Sequence, residues 1–139
     1  FSFIGDGPFK KNLLDLKRDK RNMKIKIHGW LTNSEVINSM KENDVLVFPS
    51  HAEGFPNVIV EALSQGMPLI TTNVGGITDS AIDNKNAFIV PIKDSNSLKI
   101  AMEKFVIDKS LIEKFSRESC KIFSINHQNE NCKKIFSLF

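Results

Sequence analysis

Two glutamates, Glu53 and Glu61, stand in one short stretch with seven residues between them. It reads Pro49-Ser50-His51-Ala52-Glu53-Gly54-Phe55-Pro56-Asn57-Val58 and runs on into an apolar helical pattern containing Glu61. A loop that leaves a strand and feeds a helix offers an anion the free N–H groups and the positive dipole end of the first turn. Gly54 lets the backbone approach a ligand closely, and Pro56 has the fixed φ that suits a first helical turn. Glu61 is flanked by Val58, Ile59, Val60, Ala62 and Leu63. A carboxylate in such company is desolvated unless it finds a partner. Two vicinal ribose hydroxyls would serve, because one carboxylate accepts from both. A blander reading stays open for each: Glu53 as a helix N-terminal charge, Glu61 as a side chain pointing outward.

Other candidates surround this pair. His51 is either a loop histidine satisfied by backbone groups or part of the same site, and no second His or Cys lies nearby to build a metal site with it. Gly75-Gly76 either cradles a ligand or makes a tight turn, and Asp79 either faces the same crevice or caps a short helix. Gly5-Asp6-Gly7-Pro8 looks like half a dinucleotide fingerprint, but the third glycine is missing and Pro8 intervenes. His28 and His127 read as structural.

Short apolar runs alternating with helical patterns must position these residues. Strands are expected at Ser2–Ile4, Ile25–His28, Val45–Phe48, Pro68–Thr71 and Ala87–Val90. Helices are expected from Pro8 to about Lys20, after a cap at Thr32 or Ser34 with Val36, Ile37 and Met40 inward, over Val58–Gln65, and near Thr78–Ile82. From Ser95 the chain reads as a helical tail with breaks near Asp108 and Asn126. Strands separated by helices imply an α/β fold, a doubly wound parallel sheet. Ligands of such sheets sit beyond the carboxyl ends of the strands, where most of the unusual residues fall.

The 139 residues are enough for one domain with a core and too few for two. No run of 18 apolar residues exists, so no membrane-spanning helix is expected. The chain opens on Phe1, already in a strand, so the natural protein is expected to begin earlier. Net charge is +3, with a cluster at Lys10, Lys11, Lys17, Arg18, Lys20, Arg21, Lys24 and Lys26. That cluster is either a solvated helix face with its loop or a basic surface for anionic lipid headgroups. Nucleic acid is disfavoured, since no aromatic platform or recognition-helix signature accompanies the charge. Cys120 and Cys132 have no metal-ligand companions and suit a reduced, cytosolic protein.

The run from Pro49 to Gly76, PSHAEGFPNVIVEALSQGMPLITTNVGG, resembles the C-terminal domain of retaining, GT-B-fold glycosyltransferases (glycosyltransferase family 4, glycosyl transferases group 1). Gly5–Pro8 and the IKIHGW element match as well, so the resemblance covers nearly the whole chain. It implies the Rossmann-like half of a GT-B fold that binds a nucleotide-diphosphate sugar. In the whole enzyme the sugar would pass to a glycan or lipid-linked acceptor with retention, as in bacterial surface polysaccharide synthesis.

By that resemblance Glu53 lies near the donor sugar as the catalytic residue, and Glu61 binds the ribose hydroxyls. Ser50, His51, Gly54, Phe55, Pro56, Asn57 and Val58, with Gly5 and Gly7, would contact donor sugar and phosphates; Gly29 and Trp30 lie where related enzymes contact the base. Pro56, lacking an N–H, can contribute only shape. The resemblance implies no metal or other cofactor. A cytoplasmic location follows as an expectation from the cysteines, and peripheral contact at the inner face of the membrane from the basic surface. An Arg/Lys pair that neutralises the diphosphate in the family would lie on a first strand–helix unit preceding Phe1, beyond which an acceptor domain is expected. Asp79 stands where glutamate is common, and Ala87 where glycine is common. Two other readings remain: a non-catalytic nucleotide-binding module, and a GT-B-fold sugar-nucleotide epimerase.

Overall fold

A computed structural model describes residues 1–20 and 22–127; Cys132 and the side chain of His127 fall outside the described residues. The fold is α/β with parallel strand pairing. It divides into two compact units, Phe1–Asn43 and the chain from Asp44 onward.

In the first unit, β1 (Ser2–Phe3) and β2 (Lys26–Ile27) pair in parallel, Ser2 against Lys26 and Phe3 against Ile27. Both strands are shorter than their apolar runs suggest. Gly5 takes φ +121 and Gly29 φ +74, which carries the backbone out of strand geometry after each. α1 (Lys10–Asp19) has no buried residue. Some of its basic cluster is spoken for: Lys10 pairs with Asp6 at 2.7 Å, Arg18 with Asp15 at 2.8 Å, and Lys26 with Glu42 at 3.3 Å. α2 (Asn33–Lys41) starts at Thr32, one of the two caps the sequence offers. The Thr32 hydroxyl accepts from the Glu35 N–H while the Glu35 carboxylate accepts from the Thr32 N–H at 2.8 Å, a reciprocal capping box. Met40 is buried as expected, whereas Val36 and Ile37 are half-buried.

The second unit contains β3 (Leu46–Phe48), α3 (Asn57–Ser64), β4 (Leu69–Thr72), a 3-10 turn (Gly75–Asp79), β5 (Ala87–Val90), α4 (Ser95–Ile107) and α5 (Ser110–His127). The strands form one parallel sheet in the order β3-β4-β5. Hydrogen-bonded pairing therefore falls into two sheets, because β1 pairs with β2 and β3 with β4. β4, the central strand, is buried at all four positions, which is why its run LITT carries no alternation. β3, at an edge of this sheet, is half-buried throughout.

Several boundaries shift by a residue or two from the sequence pattern, and two of the shifts fall at the loops of interest. α3 begins at Asn57, one residue early, and puts Pro56 at the N-cap (φ −76, ψ 115) instead of inside the first turn. The short helix begins at Gly75-Gly76 themselves and ends at Asp79, so that residue closes the helix and does not cap its start. A 3-10 turn closes on i to i+3 bonds, so it forms in a stretch too short and glycine-rich for an apolar period to reveal. The break expected at Asp108 separates α4 from α5, while the described part of α5 continues through Asn126 to His127.

The core of this unit joins sheet and helices through Ile70, Phe88, Val90, Ala101, Phe105 and Phe115. The three phenylalanines meet with ring centroids 5.0, 5.0 and 5.4 Å apart, two tilted pairs and one edge-to-face. The Lys104 ammonium sits 4.6 Å from the Phe88 ring and closes that cluster with a cation–π contact. Asn86, buried within the chain bend before β5, accepts from the Ile82 N–H at 2.8 Å and donates to the Ser80 carbonyl at 3.0 Å. At the sheet edge, the Asp83 carboxylate accepts from the Ile89 N–H at 3.0 Å.

Removing the ring of Phe115, which is 1% exposed, leaves a cavity that neighbouring side chains fill only in part. Phe115→Ala is expected to cost about 3–5 kcal/mol in urea unfolding; a loss under about 1 kcal/mol would show that the aromatic cluster is not the core. A second expectation concerns acid. Hydrogen bonds from the Thr32 hydroxyl and amide hold the Glu35 carboxyl below its ordinary range, and those from the Ser97 amide and hydroxyl do the same for Asp94, the N-cap of α4. A folded-state value below the unfolded one adds stability above the unfolded value and loses it as pH falls through the folded one. Both helix starts should therefore hold through neutral and mildly acid pH. In an NMR titration the Thr32 and Ser97 amide signals, whose N–H groups donate to these carboxylates, should move only below the usual carboxylate range; movement at or above it would contradict the caps.

Candidate functional site

In the second unit the loop after β3 is built against the loop after β4. The regular ladder between these strands ends with Phe48 opposite Thr71. Two threonine hydroxyls then take over: Thr71 donates to the Phe48 carbonyl at 2.9 Å, and Thr72 to the Ser50 carbonyl. Both threonines are buried, so their hydroxyls must find partners inside the protein. Ser50 in turn donates its own hydroxyl to the Glu53 carboxylate at 2.7 Å, which fixes the half-buried Glu53 side chain.

The next residues are held from the same side. The Gly76 N–H donates to the Gly54 carbonyl at 2.8 Å. A Cβ at Gly75, whose φ is +53, would lie 2.0 Å from the Glu53 carbonyl oxygen, and one at Gly76 would lie 2.8 Å from the Phe55 ring. The paired glycines therefore serve a close approach of two backbones, more than a turn alone. Phe55 and His51 stay exposed, while Pro56 and Val58 are half-buried and Asn57 is exposed.

α3 carries the other glutamate. Its buried face is Ile59, Ala62 and Leu63, and Glu61 beside it is half-buried, between the fully desolvated and outward-pointing readings. No side chain caps the start of α3, since Pro56 occupies the N-cap position. The first-turn N–H groups thus keep the partial positive charge of a helix N-terminus without a Ser, Thr, Asp or Asn oxygen spent on them.

The first unit holds Gly5, Gly7, Gly29 and Trp30. The Gly5 N–H donates to the Gly29 carbonyl at 2.7 Å, which brings the two glycine turns together. The Asp6 carboxylate accepts from the Lys10 ammonium at 2.7 Å and the Gly7 N–H at 2.8 Å, and these bonds, Lys10 first, hold its pKa below the ordinary value. Next to this loop is a concavity of about 360 Å³ lined mainly by Phe3, Ile4, Pro8, Phe9, Leu13 and Ile27. Trp30 is 83% exposed. His28 is exposed too, not packed into a structural role in the core.

Sequence reasoning singled out Ser50, Glu53, Gly54 and the glycine pair, and the structure brings these together. It missed Thr71 and Thr72, polar residues inside the buried run of β4, and Asn86, a buried residue at the end of an exposed polar stretch that gives no such signal. Among the described residues, no group of three His, Cys, Asp or Glu side chains is placed to hold a metal ion. No helix among them is long and apolar enough to cross a membrane.

Comparison with known proteins adds a family to this geometry. The capsular polysaccharide biosynthesis glycosyltransferase CapM of Staphylococcus aureus is 40% identical over 80 residues, 58% of this chain and 21% of CapM. The UDP-Gal:alpha-D-GlcNAc-diphosphoundecaprenol alpha-1,3-galactosyltransferase of Escherichia coli is 31% identical over 113 residues, 80% of this chain and 29% of that enzyme. The chain thus spans well under half the length of either relative. Among solved structures, Anabaena Alr3699/HepE in complex with UDP-glucose aligns with a TM-score of 0.73 over 99% of this chain and 40% of its own, at 19% identity, a likeness of fold. Residues 1–122 match the family model for glycosyl transferases group 1, and the chain belongs to that family.

Proposed function

We propose that this chain is the donor-binding part of a GT-B glycosyltransferase and that its second unit forms the wall that meets the donor sugar and nucleotide. The observation that carries this is the half-buried Glu53 carboxylate, oriented by Ser50 on a loop pinned to β4 and leading into the uncapped N-terminus of α3. The names of the relatives support the same reading: one uses UDP-Gal, another builds capsular polysaccharide, and the Anabaena neighbour holds UDP-glucose.

In this reading Glu53 orients the sugar and Glu61 accepts from the ribose hydroxyls. Amides at Gly54, Phe55, Asn57 and Val58 face sugar and phosphates, with Pro56 giving shape alone. The bond from the anomeric carbon to the diphosphate oxygen breaks with its electron pair leaving on the nucleotide, and a hydroxyl oxygen of a glycan or lipid-linked acceptor bonds that carbon as its proton passes to the leaving diphosphate. Retention of the anomeric configuration belongs to the proposal. So does a metal-free site: the charge of the leaving diphosphate is met by helix N-terminal N–H groups and by basic side chains outside this chain.

Isothermal titration of the chain with UDP and with GDP tests the reading. One of the two should bind weakly, and addition of EDTA should leave that binding unchanged. Glu61→Ala should weaken it by about 1–3 kcal/mol through loss of the ribose contacts. An unaltered affinity would remove Glu61 from the site, and an EDTA-sensitive one would remove the metal-free assignment. Trp30, the one tryptophan of the sequence, reports separately on the first unit. Its emission should change on nucleotide addition; constant emission alongside a measured heat would take Gly29 and Trp30 out of the base contact.

A further inference from the structure

We infer that Thr72 is a positioning residue for sugar transfer, acting on Glu53 through Ser50; this rests on Glu53 being the group that meets the donor sugar. Thr72 is 1% exposed, so its side chain does not itself meet a ligand. Its hydroxyl reaches across 22 residues of sequence to donate to the Ser50 carbonyl. The hydroxyl of the same Ser50 donates to the Glu53 carboxylate at 2.7 Å, a closer acceptor than the Ala52 carbonyl at 3.3 Å. Ser50 is therefore held by its backbone and holds Glu53 with its side chain. Two links join a buried strand residue to the carboxylate.

Gly75 and Gly76 complete the device. The Gly76 N–H fixes the Gly54 carbonyl, and Gly75 leaves room for the Glu53 carbonyl where any Cβ would stand 2.0 Å away. Ser50, Glu53, Gly54 and Phe55 are each in contact with the segment that runs from Thr72 to Gly76. The position of Glu53 is thereby referred to β4, the buried central strand of its sheet. A carboxylate that must meet developing charge gains from such fixing, because a misplacement of about 1 Å can cost about a hundredfold in rate.

The test uses Thr72→Val, which keeps the shape and removes the donor, and Thr72→Ser, which keeps the donor. In the whole enzyme containing this chain, Thr72→Val should lower kcat by about tenfold or more with KM for the sugar nucleotide little changed, and Thr72→Ser should restore most of it. Native-state hydrogen exchange reads the loop without reference to function. In Thr72→Val the Gly76 amide, bonded to Gly54, should exchange faster while the Leu69 and Ile70 amides keep their protection. Unchanged exchange at Gly76 overturns the inference whatever the activity does. Uniform acceleration across β4 also overturns it, because Thr72 is then only a stability residue. A loosened Gly76 with unchanged kcat overturns the assignment of Glu53, and the catalytic role of the link falls with it. Gly75→Ala should loosen the same amide by a steric route, and a variant with wild-type exchange and kcat would contradict the close approach.

Discussion

The second unit depends on how two adjacent strands end. β3 and β4 are joined by a regular ladder only as far as Phe48 and Thr71, and beyond that point backbone pairing gives way to side chains. Buried hydroxyls at Thr71 and Thr72 meet the carbonyls of Phe48 and Ser50, polar groups that would otherwise be costly to leave without a bond. A loop held in this way is a continuation of the sheet by other means. The glutamate it carries is consequently as well placed as a strand residue would be, on a segment with none of a strand's regular pairing.

The two units divide the chemistry unevenly. Residues 1–43 hold nine Lys and Arg against five Asp and Glu, so the net positive charge of the chain resides there. That unit is thinly packed, with α1 lacking any buried residue. The second unit carries the aromatic core of Phe88, Phe105 and Phe115 and nearly all of the buried side chains. A well-packed support and a polar, basic one are different tools, and the two glutamates lie on the well-packed one.

Much of this was legible in the sequence. β5 runs over Ala87–Val90 as its apolar run implies, α2 starts at one of the two caps offered, and Glu53 falls on a loop that feeds a helix. These features come from local patterns: runs, caps and breakers. What could not be read comes from groups far apart in sequence. Thr72 bonding Ser50, Asn86 knitting Ser80 and Ile82 together, and Gly75 yielding space to Glu53 all depend on a third dimension that no period encodes. The glycine pair illustrates the difference. Its composition left a ligand cradle and a tight turn both open, and the nearby Glu53 carbonyl, together with a φ of +53, explains why no other residue type fits at position 75.

The Asp83 carboxylate bonded to Ile89 has a consequence of another kind. β5 is an outer strand of its sheet, and an outer strand with free N–H groups is a template for a strand from a second molecule. With its amide already engaged by an acidic side chain, Ile89 offers an incoming backbone a negative charge instead of a donor. A strand approaching this edge would find no free N–H at Ile89 to pair with. That safeguard has nothing to do with sugars, and it would serve any chain that must stay dispersed while its sheet ends in the open.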